Sequence, residues 1–326
     1  MIEKITAHLK SPRSIVCLGT LGLFLVLPLL SQMLDTSYYN KLAIRIMIYA
    51  LAAVSLNLIL GYGGMVSLGH AMFILVGAYA VTIPSSHGIT SGYAHLGFAI
   101  IGAAVVALIT GAICLRTNGM AFIMITLAFA QMLFFLAVSL KQYGGDDGLT
   151  LPTRSDFGVF DLSNNTVLYY FTFGLLFAAL FAMFKVVRSP FGMTLRGIKQ
   201  NERRMKALGH APLKYQLTAY VVSACVAAVA GFLLANLTNF ASPAYGAWTV
   251  SGELIVIIIL GGVGTVYGPV LGAAAFLLLE EVLPHLVEMV APDYKSNWML
   301  ILGLLIVVMT LTLKRGIYGS LPGDDE

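Results

Sequence analysis

The sequence predicts an all-α integral membrane protein, and three observations carry the prediction. Of its 326 residues, 59% are hydrophobic and 10% charged, with a mean hydropathy of +0.88; an average soluble domain carries about 25% charged residues. The apolar residues are gathered into recurring stretches near membrane-spanning length, which in hydrocarbon must close their backbone hydrogen bonds as helices. Third, eight of the nineteen basic side chains fall between Lys185 and Lys214, in a stretch with a single acid, Glu202, bounded by apolar sequence on both sides. Basic residues set beside apolar runs report topology rather than nucleic-acid binding. The regular recurrence favours one polytopic domain over residues 1–326 rather than the two soluble domains that length alone would allow.

About ten spans are expected. Ile15 to Leu30 follows Lys4, Lys10 and Arg13 and imitates a secretory signal, but Leu29-Leu30-Ser31-Gln32 offers no small-x-small cleavage site, so it reads as an uncleaved first span. Leu42 to Leu60, Met65 to Ile83, Leu96 to Leu115, Met120 to Leu140 and Val167 to Val187 complete the six before the basic loop. Tyr215 to Leu237, Val250 to Leu260, Pro269 to Val290 and Trp298 to Leu313 follow it. Some are short or broken: the eighth is too short to cross about 30 Å of hydrocarbon at about 1.5 Å per residue, and Gly69 and Gly77 interrupt the third.

The positive-inside rule places the basic loop, 188–214, in the cytoplasm together with Lys4, Lys10, Arg13, Arg116, Lys314 and Arg315, which puts both termini there. The opposite face receives the loop 141–166 with Asp146, Asp147, Asp156 and Asp161, and Trp248 and Trp298 fall at outer ends of spans. Within the basic loop, Asn201 is an acceptable helix N-cap, Glu202 suits the positive first turn, Gly209 suits a left-handed stop and Pro212 blocks continuation. A helix of two turns is marginal alone in water and must dock on something. If it starts near Thr194, Leu195, Ile198, Met205 and Leu208 share one face.

Catalytic chemistry is absent from the sequence. There is no HExxH, no GxSxG and no phosphate-binding GxxxxGK[ST], so this chain has no P-loop of its own. The six histidines show no ligand pair on one helix, and Cys17, Cys114 and Cys225 show no CxxC spacing, so no metal site is expected. The spans carry polar residues instead: Arg45, Asn57, Ser67, His70, Thr126, Gln131, Asn236, Glu253, Glu280 and Glu281. Each is costly in lipid and so faces protein or water. Glu280 and Glu281 lie deep, and one of them can pair with Arg45 or line water; the neutral residues serve as interhelical glue or solute contacts. There is also one internal echo, between Gly63-Gly64-Met65-Val66-Ser67-Leu68-Gly69 and Gly261-Gly262-Val263-Gly264-Thr265-Val266-Tyr267-Gly268, of the kind that can mark two halves meeting at a translocation path.

Five motifs in order give the chain a family resemblance. Gly61-Tyr62-Gly63-Gly64-Met65-Val66-Ser67-Leu68-Gly69-His70-Ala71-Met72-Phe73, with Gly77-Ala78-Tyr79, resembles the signature of permease subunits of branched-chain amino acid ABC importers. Arg116 to Phe122 leading into Thr126 to Gln131, Gly144-Gly145-Asp146-Asp147-Gly148-Leu149, Ser189-Pro190-Phe191-Gly192, and Leu260 to Thr265 with Gly268 to Ala273 are similar to the family's later motifs. The resemblance runs from about Leu42 to Leu313; Tyr143, Met193 and Gly197 depart from it, standing where threonine, arginine and alanine are usual.

The resemblance implies a type II-like ABC importer permease in the bacterial inner membrane, the longer of two related permease partners. It also implies two cytoplasmic P-loop ATPases that use ATP and Mg, a periplasmic solute-binding protein, surrounding membrane lipid, and no cofactor bound by this chain. The basic loop then corresponds to a coupling helix, with Leu195, Arg196, Ile198, Glu202, Met205, Ala207, Leu208 and Gly209 against the ATPase. Asn57, Ser67, His70, Thr126 and Gln131 become translocation-pathway candidates, and Asp146 and Asp147 candidates for docking the binding protein. Related permeases move branched-chain and other amino acids, urea, amides or aromatic acids. A stand-alone ion-coupled transporter, resting on Glu280 and Glu281, is the alternative class.

Overall fold

A computed structural model describes residues 37–313 except 159–160 and 291–297, together with 315–320 and scattered positions between 19 and 28. The chain is helical almost throughout. Helix α1 (Ser37–Asn57) runs on into a π-helical turn, Leu58–Tyr62, and is followed by α2 (Ala71–Ser86), α3 (Gly92–Cys114) and α4 (Met120–Ser139). A loop with a two-residue strand β1 (Leu149–Thr150) leads to α5 (Asn165–Arg188) and the short α6 (Pro190–Gln200) and α7 (Glu202–Ala207). Then come α8 (Pro212–Thr238), β2 (Phe240–Ala241), α9 (Trp248–Gly261), α10 (Gly268–Val290), α11 (Trp298–Thr312) and α12 (Gly316–Ser320).

Seven segments are long and apolar enough to cross a membrane by length and composition, and α2 and α9 are shorter apolar helices. Nine of the ten expected spans are therefore helices among the described residues, while the first, Ile15 to Leu30, lies largely outside them. At about 1.5 Å per residue, the 16 residues of α2 and the 14 of α9 reach about 24 and 21 Å, short of a hydrocarbon core of about 30 Å. The third expected span is broken at one of its two flagged glycines. Met65 to His70 is not helical and α2 begins only at Ala71, whereas Gly77 lies inside α2 and packs.

Helix α1 is the axis of the bundle, packed against α5, α8, α9 and α10, with 83% of its most apolar window buried. Helices α2 and α8 make the closest crossing. A Cβ on Gly77 would stand 2.0 Å from the Ala228 carbonyl oxygen, and one on Gly231 2.0 Å from that of Ile74, so both positions must be glycine for the backbones to touch. Helices α4 and α11 are the opposite case: Met124, Phe135, Leu300 and Leu304 project outward, an apolar face that only lipid or a further membrane subunit can cover.

The 27 residues of α8 separate the two loop systems by about 40 Å. The basic loop leads into its start, where the Arg116 turn and Arg315 also lie, the latter against Gly262. At its far end Asn239, in the left-handed conformation with φ of 55°, turns the chain into β2, which pairs antiparallel with β1 in the loop of Asp146 and Asp147.

Candidate functional site

At the basic-loop end, two glycine-rich turns meet. The π-turn carries Gly61 against Gly264, so closely that a Cβ on Gly61 would stand 2.7 Å from the Gly264 nitrogen and 2.2 Å from Asn57 Oδ1. Asn57, one helical turn earlier, donates from Nδ2 to the Thr265 carbonyl (2.7 Å) and accepts the Gly264 N–H at Oδ1 (3.0 Å). Thr265 Oγ1 donates to the Gly262 carbonyl (2.8 Å) and accepts the Gly268 N–H (3.1 Å). The second segment of the internal echo thus meets the turn just before the first one, with the side chain of Asn57 supplying hydrogen bonds to the irregular backbone there.

The basic loop is pinned to this junction from outside. Ser189 caps α6 by accepting the Gly192 N–H, and Pro190 occupies the first turn, where its missing N–H costs nothing. Lys199 Nζ donates to the Gly61 carbonyl (2.7 Å); Arg196 Nη2 donates to the Val187 carbonyl (2.7 Å), with its guanidinium 5.9 Å from the Tyr62 ring centre. Asn201 then breaks the helix in an extended conformation (φ −159°, ψ 98°) while its Oδ1 accepts the Arg204 N–H that starts α7. Glu202 pairs with Lys206 one turn on (2.7 Å), and Gly209, at φ of 86°, ends the element.

This break corrects one expectation. Leu195, Ile198, Met205 and Leu208 do not share a face, because no continuous helix runs through Asn201. Leu195 and Ile198 are buried in this chain itself; Met205 is half-buried, its Sδ so near Gly197 that a Cβ there would stand 2.8 Å away. Ala207, Leu208 and Gly209 are exposed, Leu208 to 67%, and so is Met193 at 58%.

Of the five pathway candidates, Ser67 and His70 flank Gly69, which packs on Thr126 so closely that a Cβ there would stand 2.2 Å from the Thr126 carbonyl oxygen, and His70 also meets Ser55, two residues before Asn57. Asn57, Ser67, His70 and Thr126 are buried and Gln131 is half-buried. Ser67 Oγ accepts the Gly69 N–H, and Thr126 Oγ1 donates to the Ile123 carbonyl. His70 stands at the start of α2, with Nε2 2.9 Å from Ser55 Oγ, which donates to the Ala52 carbonyl and so receives the histidine proton, leaving Nδ1 a buried acceptor with no partner. The adjacent Ala71 N–H donates to Ser251 Oγ of α9 (2.9 Å), so the two short helices meet inside the bundle. Farther along α1, Arg45 pairs with Glu280 of α10 at 3.2 Å, with Glu253 of α9 within electrostatic reach, and Tyr38 donates to Glu281. Of the two adjacent carboxylates, Glu280 is thus the partner of Arg45.

At the other end, Asp146 and Asp147 are exposed on a short 3₁₀ turn between Gly144, Gly145 and Gly148, all at positive φ. The loop beyond is held by Arg154, which donates to Asn239 Oδ1 (3.0 Å), Asn165 Oδ1 (2.9 Å) and the Leu162 carbonyl (3.0 Å). The hydroxyl and N–H of Ser163 both donate to Asp161 and hold its carboxyl below the usual range. Among the described residues no group of three or more His, Cys, Asp or Glu side chains is placed to hold a metal ion.

A bundle of membrane-length helices with two shorter members, joined at glycine turns, is a multi-pass membrane architecture. Residues 38–310 match the family described as branched-chain amino acid transport system / permease component, and the chain belongs to that family. The high-affinity branched-chain amino acid transport system permease protein LivM of Escherichia coli (strain K12) is 26% identical over 295 residues, covering 83% of this chain and 68% of that one. The LivH permease of the same system is 24% identical, covering 79% of this chain and 89% of that one. Among solved structures, PsaBC from Streptococcus pneumoniae in complex with Fab aligns with 89% of this chain and 100% of that chain at 14% identity and a TM-score of 0.43.

Proposed function

We propose that this chain is the translocation subunit of an ATP-driven, binding-protein-dependent importer of branched-chain or related hydrophobic amino acids. It sits in the bacterial inner membrane with both termini in the cytoplasm. A second related permease completes the pathway, two cytoplasmic P-loop ATPases hydrolyse ATP with Mg, and a periplasmic binding protein delivers the solute. That the relatives of this chain include both LivM and LivH supports a paired permease.

The observation that carries the coupling role is the two-sidedness of α6 and α7. One side is fixed to the bundle by Leu195, Ile198, Arg196 and Lys199, while Met193, Ala207, Leu208 and Gly209 are left open on the other. Such an element receives a push from a docked partner and passes it to α5 and α8, between which it lies. Leu208→Asp places a charge on the most exposed apolar side chain of this surface. It should abolish solute-stimulated ATP hydrolysis by the purified complex while the subunit still inserts; unchanged stimulation refutes the docking role.

At the opposite end, the exposed Asp146 and Asp147 meet basic groups of the binding protein. Asn at both positions should weaken capture, with the larger effect at low salt, because exposed charges are screened beyond about 10 Å at 0.1 M. Capture that is unchanged at every salt concentration leaves the two acids solvated only. The Arg45–Glu280 pair is the feature an ion-coupled transporter would use; uptake into vesicles that requires ATP and survives collapse of ion gradients excludes that class.

A further inference from the structure

Where the coupling loop leans on the bundle there is a cleft of about 500 Å³, within the size range of small-molecule sites. Four segments wall it: the glycine turn at Gly63–Val66, the Arg116 turn from Leu115 through Thr117 and Asn118 to Ile123, the coupling loop at Ile198, Lys199 and Glu202, and the start of α8 at Gln216. Two of the five sequence motifs therefore face the coupling loop across one space, and neither is used in the proposed docking of ATPase or binding protein.

The chemistry of the walls is paired. Lys199 supplies an ammonium with three donors, of which the Gly61 carbonyl takes one. Glu202 supplies a carboxylate with room for about four hydrogen bonds, one oxygen of which is on Lys206. Asn118 and Thr117 add neutral polar groups, and Met65, Val66, Phe122, Ile123 and Ile198 line the remainder with apolar surface. A cation, an anion and an apolar wall in one cleft match a small zwitterion with an apolar side chain. A pure anion would be repelled by Glu202, and a pure cation by Lys199.

We infer that this cleft binds the free amino acid on the ATPase side, its carboxylate on Lys199, its ammonium on Glu202 and its side chain against Met65, Val66 and Phe122. The inference rests on the importer reading above and extends it to control by product. An amino acid held there touches the coupling loop on one side and the glycine and Arg116 turns on the other, so it ties together parts that must shift relative to each other if the loop is the lever. Accumulated solute therefore slows the motor.

The test uses the complete importer, this chain with its companion subunits, in inside-out vesicles whose ATPases face the added solution. L-leucine added there should lower ATP hydrolysis about fivefold or more, the scale of ordinary coupling between sites. Isovalerate, which lacks the ammonium, and isoamylamine, which lacks the carboxylate, should not. Lys199→Met and Val66→Trp, the second filling the cleft without touching the Lys199–Gly61 bond, should each bring the ratio of rates with and without leucine close to one; each variant is compared with its own leucine-free rate. Insensitivity to leucine in the wild-type complex overturns the inference while leaving ATP-driven uptake as the sign that the importer reading stands. Inhibition by isovalerate alone, or inhibition that survives both substitutions, also overturns it. Absence of ATP-driven uptake in the assembled complex overturns the importer reading itself.

Discussion

The two ends of α8 are fastened by different means. At the end next to the basic loop, glycine backbone lies on glycine backbone and one neutral amide, Asn57, 1% exposed, makes the bonds between α1 and the turn before α10. At the other end a guanidinium, Arg154, reaches across an open loop to amide and carbonyl oxygens, and the two short strands add a few backbone bonds. The first fastening is the drier of the two, since the amide that makes it is buried. The second stands in a loop where water can take over any bond that is lost, so its members are more replaceable. A bundle built this way is set at the glycine junction and adjusted at the loop.

Three substitutions, in order of expected effect, break or sharpen that contrast. Gly61→Val forces a Cβ into Asn57 Oδ1 and the Gly264 nitrogen and should cost about 3 kcal/mol or more, as overpacking against backbone does; thermal unfolding of the purified subunit should show the largest loss here. Asn57→Leu keeps the volume but leaves the Gly264 N–H and the Thr265 carbonyl without their partner, at about 1–3 kcal/mol for a buried orphaned group. Arg154→Ala should cost about 1 kcal/mol, because the freed oxygens on that exposed loop are rehydrated. If Arg154→Ala destabilises the protein as much as Asn57→Leu does, the distinction between dry and wet ends is wrong.

Much of the bundle was legible in the sequence, because spans announce themselves by length and hydropathy. Which glycine breaks a span and which lies inside one was not. Gly69 and Gly77 look alike in the sequence, and the partner that fixes Gly77, the carbonyl of Ala228, lies on a helix about 150 residues away. The coupling loop shows a second limit. Apolar residues at helical spacing look the same whether they face their own chain or another, so Leu195 and Ile198 were grouped with Leu208 until the extended backbone at Asn201 separated them. The capping role of Asn201 needed only its residue type and the Glu202 that follows. The depth of the adjacent carboxylates made an ion pair with Arg45 foreseeable; only the phase of α10 decided that Glu280 meets Arg45 while Glu281 meets Tyr38. The cleft beneath the loop left no trace in any single segment, since its walls come from four separate parts of the chain.

The bond from Lys199 to the carbonyl of Gly61 has a mechanical meaning. A side chain rooted in the watery face of the molecule grips main chain at the very foot of its central helix, so a tug on the loop need not travel through a relay of side chains to be felt there. Either the foot follows or the grip lets go, and those two responses are the natural on and off positions of such a linkage.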